Sequence, residues 1–154
     1  MPPLLLKNLQ ALRAWVGEEI GLSEWFQVTQ ERIAQFAEAT EDRQWIHVNS
    51  GRARTESPYD GTIAHGFLTL SLVSHLTRTV LEFESGPKLV VNYGLNRVRF
   101  PVSVRADSRI RARVTLLALK DVPGALDATY AVTVESDQSD KPTCIAEWIV
   151  RYYF

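Results

Sequence analysis

The sequence contains one cysteine, Cys144, so no internal disulfide framework can form, and a reducing compartment suits the chain. It has no excess of either charge. Seventeen basic against 18 acidic side chains give a formal net charge of −1, which offers nothing to nucleic acid or to an anionic membrane surface. No apolar run approaches the roughly 20 residues that span a bilayer. The opening Met1-Pro2-Pro3-Leu4-Leu5-Leu6-Lys7 has no charged residue ahead of its leucines, and three leucines are too few for a signal core. The expected location is the cytoplasm. Internal repeats, low-complexity tracts, linkers, a G-x-S-x-G elbow and a Gly-rich phosphate loop are all missing. Three histidines without a cysteine or carboxylate cluster argue against a zinc site.

What is present is ordinary globular composition, 45% hydrophobic and 23% charged, in a chain of 154 residues. A chain of this length buries roughly 70% of its unfolded surface, and residues 1–154 read as a single domain.

Leu9, Leu12, Ala14, Trp15 and Val16 suit a short amphipathic helix that Gly17 interrupts, and Trp25, Phe26 and Val28 read as a short extended piece. Thr29 offers an N-cap to a helix reaching Thr40, with Glu31 in its first turn and Ile33, Phe36 and Ala37 on one face. The polar stretch 41–61 predicts a loop or short helices. From His65 to about Leu81 apolar residues cover most of a helical circumference, predicting a helix buried on nearly all sides. After Pro87 the period changes to two. Ile110, Ala112, Val114 and Leu116 alternate with polar neighbours, as do Tyr130, Val132 and Val134, and then Trp148, Val150 and Tyr152. Residues 121–127 and 136–142 carry the turn residues that join antiparallel strands. Residues 88–100 form another strand, with Gly94 at a bulge. One buried helix followed by four long strands implies an α+β architecture with an antiparallel sheet curled around the helix.

Asp42 and His47 lie five residues apart, close enough to meet at one water. Trp45 and Ile46 between them reduce solvation, which would raise the carboxylate's pKa and make it a better base. The competing reading makes Asp42 a turn residue and His47 a surface imidazole. Gly66, at the first turn of the buried helix, leaves N–H groups pointing outward with the positive end of the helix dipole behind them. That suits a developing enolate oxygen on a thioester, although the same glycine would also permit close helix–sheet packing. His65 and His75 have no acidic neighbour at a convincing spacing. Ser71 and Ser74 sit inside the helix, where a serine usually bonds back to its own backbone. Cys144, in a strand pattern, reads as core. Arg97, Arg99, Arg105, Arg109, Arg111 and Arg113 make one sheet face basic. Such a face is solvated in the ordinary case, and is also able to present guanidinium groups to coenzyme A phosphates.

Three ordered stretches run from Thr40 to Val48, from Gly61 to Leu72 (with Ile63-Ala64-His65-Gly66-Phe67 at its centre) and from Asn92 to Pro101. Together they resemble the MaoC-like dehydratase family, which includes the R-specific enoyl-CoA hydratases and the NodN-like nodulation proteins. The resemblance covers nearly the whole chain. It implies a hot-dog fold, a long central helix wrapped by an antiparallel sheet, and pairing as a homodimer. In the family an Asp and a His five apart hold the water that adds to an enoyl-CoA, which places Asp42 and His47 as catalytic. It also implies an oxyanion role for the Gly66 N–H and a substrate-site role for Ser74. At Gln44-Trp45, where many hydratases carry Asn-Pro, this chain is closer to the NodN-like branch.

The resemblance therefore implies hydration of trans-2-enoyl-CoA to (R)-3-hydroxyacyl-CoA, or the reverse dehydration. No metal or redox cofactor is needed, and coenzyme A enters only as part of the acyl thioester substrate. Nucleic acid and membrane are not expected partners. A hot-dog thioesterase and a non-catalytic acyl-CoA-binding protein are the alternatives.

Overall fold

The alternating residues of the C-terminal half build a sheet whose apolar face is sealed from water. The computed structural model describes residues 2–154. Strand β6 (Arg109–Val122) turns Ile110, Ala112, Val114 and Leu116 inward, each at 0% exposure. Each such valine or leucine contributes about 1.5–3 kcal/mol relative to an exposed side chain. β6 pairs with β7 (Ala125–Ser136), and β7 with β8 (Ser139–Tyr153), both antiparallel. The first hairpin turns at Pro123-Gly124, where Gly124 has φ +74, a conformation that costs glycine little. β5 (Leu89–Arg99) flanks β8, and its register shifts between Asn92 and Gly94, the expected bulge.

The sheet is longer than the sequence implied. Two short N-terminal strands, β2 (Glu19–Leu22) and β3 (Phe26–Gln27), both pair with β6, so the order is β2-β6-β7-β8-β5 with β3 also on β6. A separate parallel pair joins β1 (Leu4–Asn8) to β4 (Leu81–Ser85). Between β1 and β2 the amphipathic stretch forms a 3-10 helix, Leu9–Trp15, that buries Leu9 and Leu12.

Helices α1 (Gln30–Thr40), α2 (Trp45–Val48), α3 (Ser50–Glu56) and α4 (Gly66–Arg78) precede the long strands. α4 lies against β6, β8 and β4, burying Leu68, Leu72, Val73 and Leu76. This is the α+β hot-dog arrangement. Two expectations about α4 need correction. The helix ends at Arg78, because Leu81 begins β4 and the Leu4 N–H bonds the Val80 carbonyl at 2.8 Å. Nor is it buried on nearly all sides. Phe67, Ser71, His75 and Arg78 form an exposed stripe, since one sheet covers only one face of the helix.

Polar groups on the sheet pair with one another. The hydroxyls of Tyr130 and Tyr152 meet at 2.8 Å, and Arg151 makes a two-pronged bond to Asp127 at 2.6 and 2.8 Å. Cys144 is fully buried, and burial pushes its thiol up to about 11, which makes it a poor nucleophile. Among the described residues no helix is long and apolar enough to cross a membrane.

Candidate active site

The site is assembled from the end of α1, the single turn of α2 and the segment leading into α4. Thr29 caps α1, its hydroxyl accepting from the Arg32 N–H at 3.1 Å. The helix stops at Glu41, which has φ 63, and Asp42 follows immediately. Arg43 folds back to pair with Glu38 at 2.7 Å and with Glu41.

His47 is buried at 8% exposure in α2. Its Nδ1 lies 2.7 Å from the Ile63 carbonyl oxygen. A carbonyl only accepts, so Nδ1 carries the proton and Nε2 keeps a free lone pair. Burial pushes the His47 pKa below the ordinary histidine value; the Ile63 bond opposes this, the neighbouring His65 adds to it, and Asp42 opposes it. The ring therefore stays neutral near pH 7, the form a general base requires.

The 62–65 segment is held from both sides. Ala64 N–H bonds the Val104 carbonyl at 2.8 Å, Ala106 N–H bonds that of Thr62 at 2.9 Å, and Ile63 N–H bonds that of Ile46 at 3.1 Å. Gln30 adds a bridge, its amide donating to the His47 carbonyl at 2.8 Å while its oxygen accepts from the Thr62 hydroxyl.

His65 was the residue that spacing could not place. It is 3% exposed, and its Nε2 donates to the Asp42 backbone carbonyl at 2.9 Å. Its ring stacks on His47 with centroids 3.7 Å apart and planes at 23°. Phe36 stands beside it at 5.0 Å. The acidic neighbour missing along the chain is supplied in space, with the Asp42 Oδ2 4.0 Å from Nε2.

Asp42, His47 and His65 thus place one ligand-type atom each within 4.8 Å of one another. Such a trio is the set among the described residues that could hold a metal. The His65 Nε2 carries a proton committed to a carbonyl, so a cation could use only its Nδ1. The arrangement suits proton transfer better. The Asp42 side chain is 53% exposed, and the group of the pair that burial desolvates is His47. Trp45 packs under the Arg52 guanidinium, 4.3 Å from the ring centre.

α4 begins next to His65, which occupies the cap position without a side-chain cap bond. The Leu68 and Thr69 N–H groups bond the His65 carbonyl at 3.0 and 3.2 Å. Those of Gly66 and Phe67 find no partner among the described residues, leaving two donors at the positive end of the helix. A Cβ on Gly66 would meet the Phe100 ring at 3.0–3.2 Å, so the absence of a side chain there is also a packing requirement.

Ser74 stands apart from this cluster. It lies eight residues beyond Gly66, about 12 Å along the axis at 1.5 Å per residue. It lines two adjoining cavities of about 260 and 330 Å³ between α4 and the β5–β8 edge, shared with Asn92 and Trp148. Neither cavity reaches Asp42, His47 or Gly66.

The arginine face is neutralised. Arg109 pairs with Asp137, Arg111 with Glu135, Arg113 with Glu19 and Glu135, and Arg105 with Asp60, at 2.8–3.6 Å. Arg111 and Arg109 also lie over the Trp25 ring. Of these six arginines, Arg97 and Arg99, on β5, are the two with no carboxylate partner among the described residues.

Comparison with known proteins agrees with this architecture. The 3-hydroxyacyl-thioester dehydratase Z of Mycobacterium tuberculosis (strain ATCC 25618 / H37Rv) is 48% identical over 147 residues, covering 95% of this chain and 96% of that protein. Nodulation protein N of Rhizobium leguminosarum bv. viciae is 46% identical over 146 residues, covering 90% and 87%. Among solved structures, the unliganded R-hydratase PhaJ1 from Pseudomonas aeruginosa superposes with a TM-score of 0.70 at 21% identity, covering 90% of this chain and 81% of that one. Residues 12–138 match the MaoC like domain, and the chain belongs to the MaoC-like dehydratase family.

Proposed function

We propose that this protein is a 3-hydroxyacyl-thioester dehydratase, a hydro-lyase that interconverts (R)-3-hydroxyacyl-CoA and trans-2-enoyl-CoA in the cytoplasm. The observation that carries the reading is the neutral His47 ring, with one nitrogen within 4.8 Å of an Asp42 carboxylate oxygen, together with the unpartnered N–H groups at the start of α4. The 48% identity to a dehydratase over nearly the full length supports the same reading.

In the hydration direction, Asp42 and His47 hold one water and His47 removes its proton. The oxygen attacks C3 and the displaced electron pair moves to the thioester oxygen. That oxygen accepts from the Gly66 N–H, where a preorganised donor at a helix start is worth far more to an enolate than to a neutral carbonyl. The proton then passes to C2, restoring the carbonyl. Water has added across the double bond, and His47 is neutral again.

Ser74 serves in this reading as a contact for the acyl portion, from its place along the α4 groove. Arg97 and Arg99 are the two arginines of that basic group left to meet coenzyme A phosphates. We also propose a homodimer. Phe67 (69% exposed), Tyr93 (57%) and Leu95 (44%) are large apolar side chains open to water on α4 and β5.

Incubation with crotonyl-CoA tests the reading. Loss of the conjugated-thioester absorbance without free thiol is the expected result. Release of free thiol would make the protein a thioesterase, and neither change would leave an acyl-CoA-binding protein.

A further inference from the structure

We propose that His65 is the positioning residue of this site, setting the distance between Asp42 and His47 by gripping one through its backbone and lying flat against the other. The inference rests on the reading of Asp42 and His47 given above. Asp42 follows directly on the end of α1, and Arg43 beyond it pairs outward to Glu38 and Glu41. The Asp42 carboxylate is half exposed and accepts no hydrogen bond from the described residues. What fixes this turn from the interior is one bond, His65 Nε2–H to the Asp42 carbonyl at 2.9 Å. The same ring lies on His47 at 3.7 Å, and His47 is held at its far edge by Ile63.

His65 has no competing duty. Its Nδ1 is buried without a partner, and its side chain gives no cap bond to α4. Its orientation is therefore set by the Asp42 bond and by the rings of His47 and Phe36. A buried imidazole used only as filling would cost desolvation that an apolar ring avoids. Tethering the aspartate turn is the return that explains a histidine here.

Replacements that differ in where they place a donor separate tethering from filling. The amide nitrogen of His65→Gln reaches the position of Nε2, whereas that of His65→Asn reaches only the position of Nδ1. His65→Phe keeps the stacked ring and loses the donor. With crotonyl-CoA, His65→Asn and His65→Phe are expected to lose about 10- to 100-fold in kcat with KM within twofold, as small misplacements of reacting groups do. His65→Gln is expected to recover most of that loss at a similar melting temperature. Equal kcat for the Gln and Asn variants would overturn the inference, as would a folded His65→Phe protein with wild-type kcat. Asp42→Asn measured alongside distinguishes the two levels of failure. If Asp42→Asn turns over like wild type, the catalytic reading itself is wrong. If it is inactive while His65→Asn is unimpaired, only the positioning role fails.

Discussion

The Nδ1 of His47 donates to the Ile63 carbonyl oxygen across 2.7 Å, and that bond determines which ring nitrogen is free to take a proton. A sequence separation of 16 residues is closed by the pairing of Ile63 N–H with the Ile46 carbonyl, so the tautomer depends on how α2 docks against the segment before α4.

A pH dependence follows from the same environment. The His47 pKa is lowered, chiefly by burial. The group is thus less protonated in the folded protein than in the unfolded chain, so the unfolded state binds more protons as pH falls through about 6.5. Stability from this group is present above that value and is lost below it. The acid limb of kcat/KM should have its midpoint below about 6.5, and His47→Gln should flatten the matching part of a stability-against-pH curve. A midpoint above the ordinary histidine value would contradict this.

Gly66→Ala should impair both activity and packing, because the new methyl meets ring carbons of Phe100 at 3.0–3.2 Å. Among the protein atoms, the ring is the obstruction. Phe100 is 40% exposed, so a smaller side chain there should leave the fold intact. Gly66→Ala with Phe100→Ala should therefore regain much of the turnover lost by Gly66→Ala alone. Thermal unfolding and kcat measured on the three variants check this.

Sedimentation at micromolar concentration should give a dimer. Phe67→Glu, which puts a charge on the exposed apolar surface that Phe67 shares with Tyr93 and Leu95, should shift it toward monomer while leaving α4 folded. A wild-type protein that is monomeric under these conditions would contradict the pairing.

Legibility varied with the range of the interaction. The period-two runs at Ile110 to Leu116 and at Tyr130 to Val134 announced buried strands because each inward side chain is local information. The Thr29 cap was legible for the same reason, its hydroxyl serving an N–H three residues away. β1 and β4 were not, because five apolar or mixed residues in each become strands only by pairing across 77 positions. The same limit hid His65. Its partner Asp42 lies 23 residues away, and nothing in the spacing distinguishes a tethering imidazole from a filling one. Gln30 is a similar case, since it reaches His47 from 17 residues before it. The expected desolvation of Asp42 is not met, because closeness in sequence to Trp45 and Ile46 leaves its side chain half exposed. The basic sheet face looked free because Glu135 arrives from the next strand and Asp137 from the turn after it, opposite Arg111 and Arg109.

The most direct test of the account is kcat for hydration of crotonyl-CoA by Asp42→Asn, His47→Gln and the double variant, with melting temperatures recorded for each. Both replacements keep size and some hydrogen bonding, so a loss reports proton transfer and the placing of water. Each single variant should lose about 10²–10⁴-fold. Because the two groups act on one water, the double variant should fall far short of the product of the single effects. Near-native turnover in either single variant, or losses that multiply in full, would contradict a shared water between Asp42 and His47.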